Sequence, residues 1–184
     1  MIELEIVQNI NQLGHGTFID SLTVFISKTW FVIALWLFCC ILAMLLDKKK
    51  GEYVFLTVLF AIIIHFAISE GIFKHLLPAI SDSFFRTRPW LTPESSIIPL
   101  GKHYLDSSFP SSHMSSTLAA LTALTYYYRK AIPLAIIIAL IMAFARMHNG
   151  MHFPSDVLAG IILGIIYGLL AIKIVNKYIV RKTT

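Results

Sequence analysis

The sequence predicts an all-α integral membrane protein, a bundle of five or six transmembrane helices with an N-terminal interfacial helix. Three observations predict it. Hydrophobic residues make up 57% of the 184 and the mean hydropathy is +0.76, where soluble domains run at about 45–50% apolar. Charged residues are 14%, against about 25% in soluble domains. The remaining charges gather at the ends of apolar runs, several of which approach the ~20 residues needed to cross a bilayer. The length suits one membrane-embedded domain over 1–184.

The elements follow in order. Residues 1–17 read as a short helix on the membrane surface, with Ile2, Ile6, Ile10 and Leu13 on one face. This stretch is acidic and lacks a basic n-region, so no cleavable signal peptide is expected. The first apolar run extends from Phe18 to Leu46 and is cleanest over Trp30–Leu46; Asp47 and Lys48–Lys50 end it. The second, Tyr53–Leu77, is interrupted by His65, Glu70 and Lys74. Residues 78–110 are polar and carry Pro78, Pro89, Pro93 and Pro99, which marks a loop. Further runs cover His113–Tyr128, Ala131–Met147 and Pro154–Val175, and a basic tail follows. Cys39 and Cys40 are adjacent within an apolar run and are poorly placed to bond each other.

The formal charge of +5 does not imply a nucleic-acid partner, because the basic residues form no single stripe. They set an orientation instead. The Lys48–Lys50 turn, the Arg129-Lys130 turn and the C-terminal region hold nine of the 15 Lys and Arg. The positive-inside rule makes that side cytoplasmic. The N-terminus and the loops at 78–110 and 148–153 then face outward, from a cell (inner) membrane, with the C-terminus cytoplasmic.

Three segments carry chemistry on that outer side: Arg86-Thr-Arg88-Pro89, Pro110-Ser111-Ser112-His113, and Arg146-x5-His152-x3-Asp156. Asp156, in the first turn of a helix opened by Pro154, can reach back to the His152 imidazole. A carboxylate that accepts one ring N–H fixes the tautomer and leaves the other nitrogen nucleophilic. Arg146 supplies a forked, permanent charge suited to phosphate. The free N–H groups of a helix starting after Pro110 make an anion site, with hydroxyls from Ser111 and Ser112. His113 there is placed to protonate a leaving oxygen. The predicted reaction has two in-line steps. His152 attacks phosphorus while His113 protonates the departing lipid oxygen; water activated by His113 then cleaves the phosphohistidine. Arg88, Arg146 and the backbone N–H groups near Ser111–His113 hold the equatorial oxygens. The scheme requires neither metal nor cofactor.

These motifs resemble the three signatures of the type 2 phosphatidic acid phosphatase superfamily, over roughly residues 70–165. The resemblance implies a membrane helical bundle, a metal-independent phosphohistidine mechanism, and a membrane lipid phosphate or diphosphate as substrate. By motif position His152 matches the nucleophile, Asp156 its orienting acid, His113 the general acid, and Arg88 and Arg146 the phosphate-binding arginines. The sequence departs from the pattern at Ser81, where a lysine is usual, at Ser112 in place of glycine, and at Ala145 in place of serine. Lys74 replaces the missing lysine in binding phosphate if two extra helical turns separate it from Arg88; Arg86 or Lys102 is the alternative substitute for it, which makes Arg86 a further candidate phosphate-binding residue. Alone, Lys74 also reads as a partner of Glu70 at i, i+4 spacing. Similarity to short bacterial members, including Ile10-Asn11, Ile19-Asp20 and Ile26-Ser27, places undecaprenyl (polyprenyl) diphosphate first among substrates. Phosphatidylglycerophosphate, phosphatidate and lipid A 1-phosphate are alternatives. An anion-binding membrane transporter is the reading from another class; it requires cations near the midplane and paired halves. Oligomeric state is not encoded in these features.

Overall fold

The computed structural model describes residues 2–180; Arg181 and Lys182 of the expected basic tail lie outside them. Every regular element among the described residues is helical. The chain runs through α1 (Ile2–Gln12), α2 (Phe18–Ile26), α3 (Thr29–Leu46) and α4 (Lys48–His65). From α4 it continues without a break through a π-helix (Phe66–Leu76) into α5 (Leu77–Ile80). After a long loop come α6 (Ser112–Tyr127), α7 (Ile132–His148) and α8 (Pro154–Val175).

The spans Thr29–Leu46, Lys48–Ile80, Arg129–His148 and Pro154–Ile179 are long and apolar enough to cross a bilayer. Their outward faces carry exposed Phe38, Leu45, Leu134, Leu140, Ile162 and Leu169. That pattern is stable only against lipid. The protein is therefore an integral membrane protein. The fifth expected span, α6, has 16 residues, roughly 24 Å at 1.5 Å per residue. It is the central helix, with Met114, Ala119, Ala120, Leu121 and Ala123 buried against its neighbours.

A glycine stripe seats α8 on α6. A Cβ at Gly160 would lie 2.7 Å from the Ser111 carbonyl oxygen; at Gly164, 2.5 Å from that of Ser115; at Gly168, 2.6 Å from Thr122 Cβ. Small residues at four-residue spacing allow such backbone approach within a membrane. The Ser111 N–H donates to the Asp156 carbonyl (3.1 Å), so the two helices begin side by side.

The structure departs from the sequence reading at three boundaries. Lys48–Lys50, read as the end of one run, open the next helix, with the Asp47 carboxylate capping the Lys50 N–H. The first apolar run splits at Ser27-Lys28, where Lys28 turns extended. The nine-residue α2 is too short to be a sixth span. On α1, Val7 and Asn11 face the protein, whereas Ile2 and Ile6 face outward, as does Leu13 in the turn that follows. An outward apolar stripe is what an interfacial helix presents to a membrane. Asn11 ties α1 down, donating to the carbonyls of His148 (2.7 Å) and Ile98 (3.0 Å).

Candidate active site

The first turn of α6, the α7–α8 turn and the loop after α5 meet at one end of the bundle. The α7–α8 turn reverses at Gly150, where φ is +72°, a conformation that glycine adopts without penalty. His152 follows and is 1% exposed. Its Nδ1 donates to the Ser108 carbonyl at 2.8 Å. A carbonyl only accepts, so the proton is fixed on Nδ1 and the Nε2 lone pair is left free. Burial, then the charges of Arg146, Arg88 and Lys74, hold this imidazole well below the usual histidine range, so it stays neutral.

This corrects the expected role of Asp156. Its Oδ2 lies 3.8 Å from His152 Nδ1, beyond hydrogen-bond length. The carboxylate is engaged elsewhere: Oδ2 accepts from the Phe153 N–H (2.9 Å) and Oδ1 from Arg86 Nη1 (2.6 Å). Asp156 therefore fixes the turn that carries His152 without touching the ring. Arg86 is corrected with it. Its guanidinium donates to Asp156, to Ser155 Oγ (2.6 Å) and to Glu3 Oε2 (2.6 Å), and lies 4.4 Å over the Phe153 ring. Those acceptors engage it outside the lining of the cavity that holds Arg88, Arg146 and His152. Lys102 points at the Tyr104 ring, 5.0 Å away.

Arg88 does face the cluster. It is 1% exposed and donates to the Met151 carbonyl (2.9 Å), to the Asp106 carbonyl (3.1 Å) and to Asp106 Oδ1 (2.8 Å). It thereby joins the 106–108 loop, which holds His152, to the turn that contains it. Lys74 reaches the same carboxylate, its Nζ 3.1 Å from Asp106 Oδ2 and 3.9 Å from Glu70. Burial alone would raise the Asp106 pKa, but Lys74 and Arg88 outweigh it and hold the carboxyl below its usual range. Lys74 therefore keeps the expected Glu70 partner at longer distance and gains Asp106 as a nearer one. The π-helix makes the placement possible. Nine residues separate Lys74 from the buried, inward His65, and at 3.6 residues per turn they would end on opposite faces. The wider π turn brings nine residues close to two full turns, and Lys74 stays inside.

His113, in the first turn of α6, donates Nε2–H to the Ser27 carbonyl at 2.9 Å. The split between α2 and α3 exposes that carbonyl. Ser111 is the α6 N-cap and makes no side-chain cap bond. The hydroxyls of Ser111 and Ser112, together with Arg146 Nε, are buried without a hydrogen-bond partner. A buried, unpartnered donor is costly and calls for an acceptor.

A cavity of about 510 Å³ reaches Ser112 and Arg146, while Ser111 lies behind its wall. Lys74, Arg88, Arg146, His113, His152, Ser112, Asp106 and Tyr104 line one end. The rest is apolar wall from α3 (Val32, Ile33, Trp36, Leu37, Cys40) and α4 (Phe55, Val58, Leu59, Ile62). His65 sits between the two parts, bonded to Ser115 Oγ at 3.0 Å. Two other histidines are structural. His148 contacts Thr23 Oγ1 (3.1 Å) and the Leu13 carbonyl (2.9 Å), and His103 lies against Trp90.

Sequence reasoning missed Asp106, Glu3 and the carbonyls of Ser108 and Ser27. Nothing in residue type marks a carbonyl or a lone acid as a partner. It also missed the glycine stripe, whose G-x3-G-x3-G spacing was legible.

With this geometry in place, the comparisons are specific. The chain belongs to the PAP2 superfamily, whose family model matches residues 53–179. A comparison with curated proteins finds no match. Among solved structures, the fold is similar to that of LpxE from Aquifex aeolicus, with a TM-score of 0.65 and 22% identity, covering 94% of this chain and 96% of that one. It is also similar to the transmembrane PAP2-type phosphatidylglycerolphosphate phosphatase from Bacillus subtilis, with a TM-score of 0.62 and 19% identity, covering 95% and 85%.

Proposed function

We propose that this protein is a membrane lipid phosphatase working through a phosphohistidine on His152. One observation carries the reading. Ser112 and Arg146, which carry unpartnered buried donors, line the charged end of an apolar cavity together with a neutral His152 imidazole whose Nε2 is free. The mechanism follows from the residues. His152 Nε2 attacks phosphorus in line. Arg146 and the free N–H groups at the α6 N-terminus hold the equatorial oxygens, and Arg88 and Lys74, paired with Asp106, add to the positive field around them. His113, held through Nε2–H on the Ser27 carbonyl, takes up a second proton on Nδ1 as the anionic substrate binds, delivers it to the leaving lipid oxygen, then removes one from the water that releases phosphate. Asp156 and Arg86 keep the α7–α8 turn in register.

The apolar part of the cavity supports a lipid substrate. Its α3 wall runs from Thr29 to Cys40, about 16 Å at 1.5 Å per residue. Ile33, Leu37, Leu59 and Phe66 line it yet are also exposed outward, which supports entry from the bilayer between α3 and α4. The charge asymmetry supports a site on the extracytoplasmic face.

Polyprenyl diphosphate is the substrate favoured by sequence similarity. A lipid phosphate monoester, such as phosphatidylglycerophosphate, phosphatidate or lipid A 1-phosphate, is favoured by a specific observation. Three cations line the cavity, but Glu70 and Asp106 line it too, leaving a balance of plus one. Purified protein in detergent, given this lipid panel with EDTA present, is expected to release phosphate and to form an acid-labile phosphoenzyme. Full activity in His152→Ala refutes the mechanism.

A further inference from the structure

The Asp106 carboxylate lies where an anion is wanted. One oxygen accepts from Lys74 Nζ (3.1 Å), the other from Arg88 Nη2 (2.8 Å). Both cations are buried, and the Asp106 side chain is 32% exposed and lines the cavity. Arg146, by contrast, makes no carboxylate ion pair within 4 Å among the described residues and keeps Nε unpartnered, although Asp106 still acts on it at longer range. The cradle is thus divided. Its part nearer α6, here the inner part, with Arg146, Ser112 and the α6 N-terminus, offers unpaired donors. Its outer part, with Lys74 and Arg88, already holds one negative charge.

We propose that Asp106 is a specificity-determining residue, an internal anion that reserves the outer cradle and restricts the site to a single phosphate group. This rests on the phosphatase reading above. One phosphate carries about −1.5 to −2 charge at neutral pH and is accommodated by the inner donors. The second phosphate of a diphosphate would have to meet Asp106 or displace it from both cations. Like charges at such distances oppose binding even where solvent screens part of the field. Asp106 also orders the outer cations, since its two oxygens fix the separation of Lys74 and Arg88.

Binding of inorganic phosphate and pyrophosphate to the purified protein, measured by calorimetry, tests this without requiring turnover. Wild type is expected to bind phosphate at least as tightly as pyrophosphate. Asp106→Asn keeps the shape and removes the charge. It is expected to improve the affinity for pyrophosphate, relative to phosphate, by about tenfold, or about 1.4 kcal/mol. Asp106→Glu, which retains the charge, is expected to keep the wild-type ratio. A merely structural role would change both affinities alike, and a ratio unchanged in Asp106→Asn overturns the proposal. So does a wild-type preference for pyrophosphate, or the absence of binding of either anion to every variant. Normal anion binding without lipid hydrolysis would refute the phosphatase reading and leave the role of Asp106 standing.

Discussion

Replacing Arg86 by alanine separates two roles that the sequence allows for this residue. If it bound phosphate, the change would weaken substrate binding and leave the fold intact. The structure gives the opposite expectation. Arg86 is the charged partner of Asp156, whose side chain is fully buried, and it also joins Ser155 and Glu3 across three segments. Removing one partner of a buried pair costs about 3–5 kcal/mol. Arg86 itself is 32% exposed, and the Phe153 N–H still donates to Asp156. Solvent screening therefore brings the expectation to about 2–3 kcal/mol. For a chain of this size that corresponds to a loss of roughly 5–10 °C in melting temperature. The assay is thermal unfolding in detergent beside steady-state kinetics below the melting point. The kcat should fall as the His152 turn loosens, with KM changed less than about threefold, since Arg86 does not face the cavity. An unaltered melting temperature with a KM raised tenfold or more would refute the reasoning.

Two further outcomes are expected. In the proposed mechanism His152 is the neutral nucleophile, and its pKa lies below the usual histidine value of about 6.5. As pH falls, its reactive form therefore persists below that value, and its protonation limb in kcat/KM appears only at lower pH. Arg88→Gln removes a neighbouring positive charge and should move that limb upward; the substrate's own ionisation near pH 6 is common to both enzymes and cancels in the comparison. A downward shift, or none, in the pH profile contradicts the electrostatic account. Gly164→Ala places a Cβ 2.5 Å from a backbone oxygen of α6 and should cost about 1–3 kcal/mol, with reduced kcat as the starts of α6 and α8 separate. Gly71→Ala, whose Cβ would meet only the Phe66 carbonyl at 3.4 Å, serves as control; equal melting temperatures in the two variants would dismiss the role of the stripe.

The sequence by itself determined the membrane class, because burial of apolar side chains and the span length they require are properties of runs of residues. It also placed the motifs with His113, His152, Arg88 and Arg146 beside the ends of apolar runs, since those motifs abut the runs in the chain. Tertiary structure decided what each group touches. Asp156 is four residues from His152, a spacing that permits contact, yet Arg86 and the Phe153 N–H hold its carboxylate while the Ser108 carbonyl takes the ring proton. Arg86 and Arg88 are two residues apart and chemically alike. Their different surroundings, Glu3 and Asp156 for one and Asp106 and the cavity for the other, come from segments up to about eighty positions distant. Lys74 faces inward only because the helix widens into a π turn, a choice set by packing of the whole bundle. The residue types fixed which charges and hydrogen bonds were available. Only the folded chain could pair them, because carbonyl acceptors and distant partners leave no trace in local sequence.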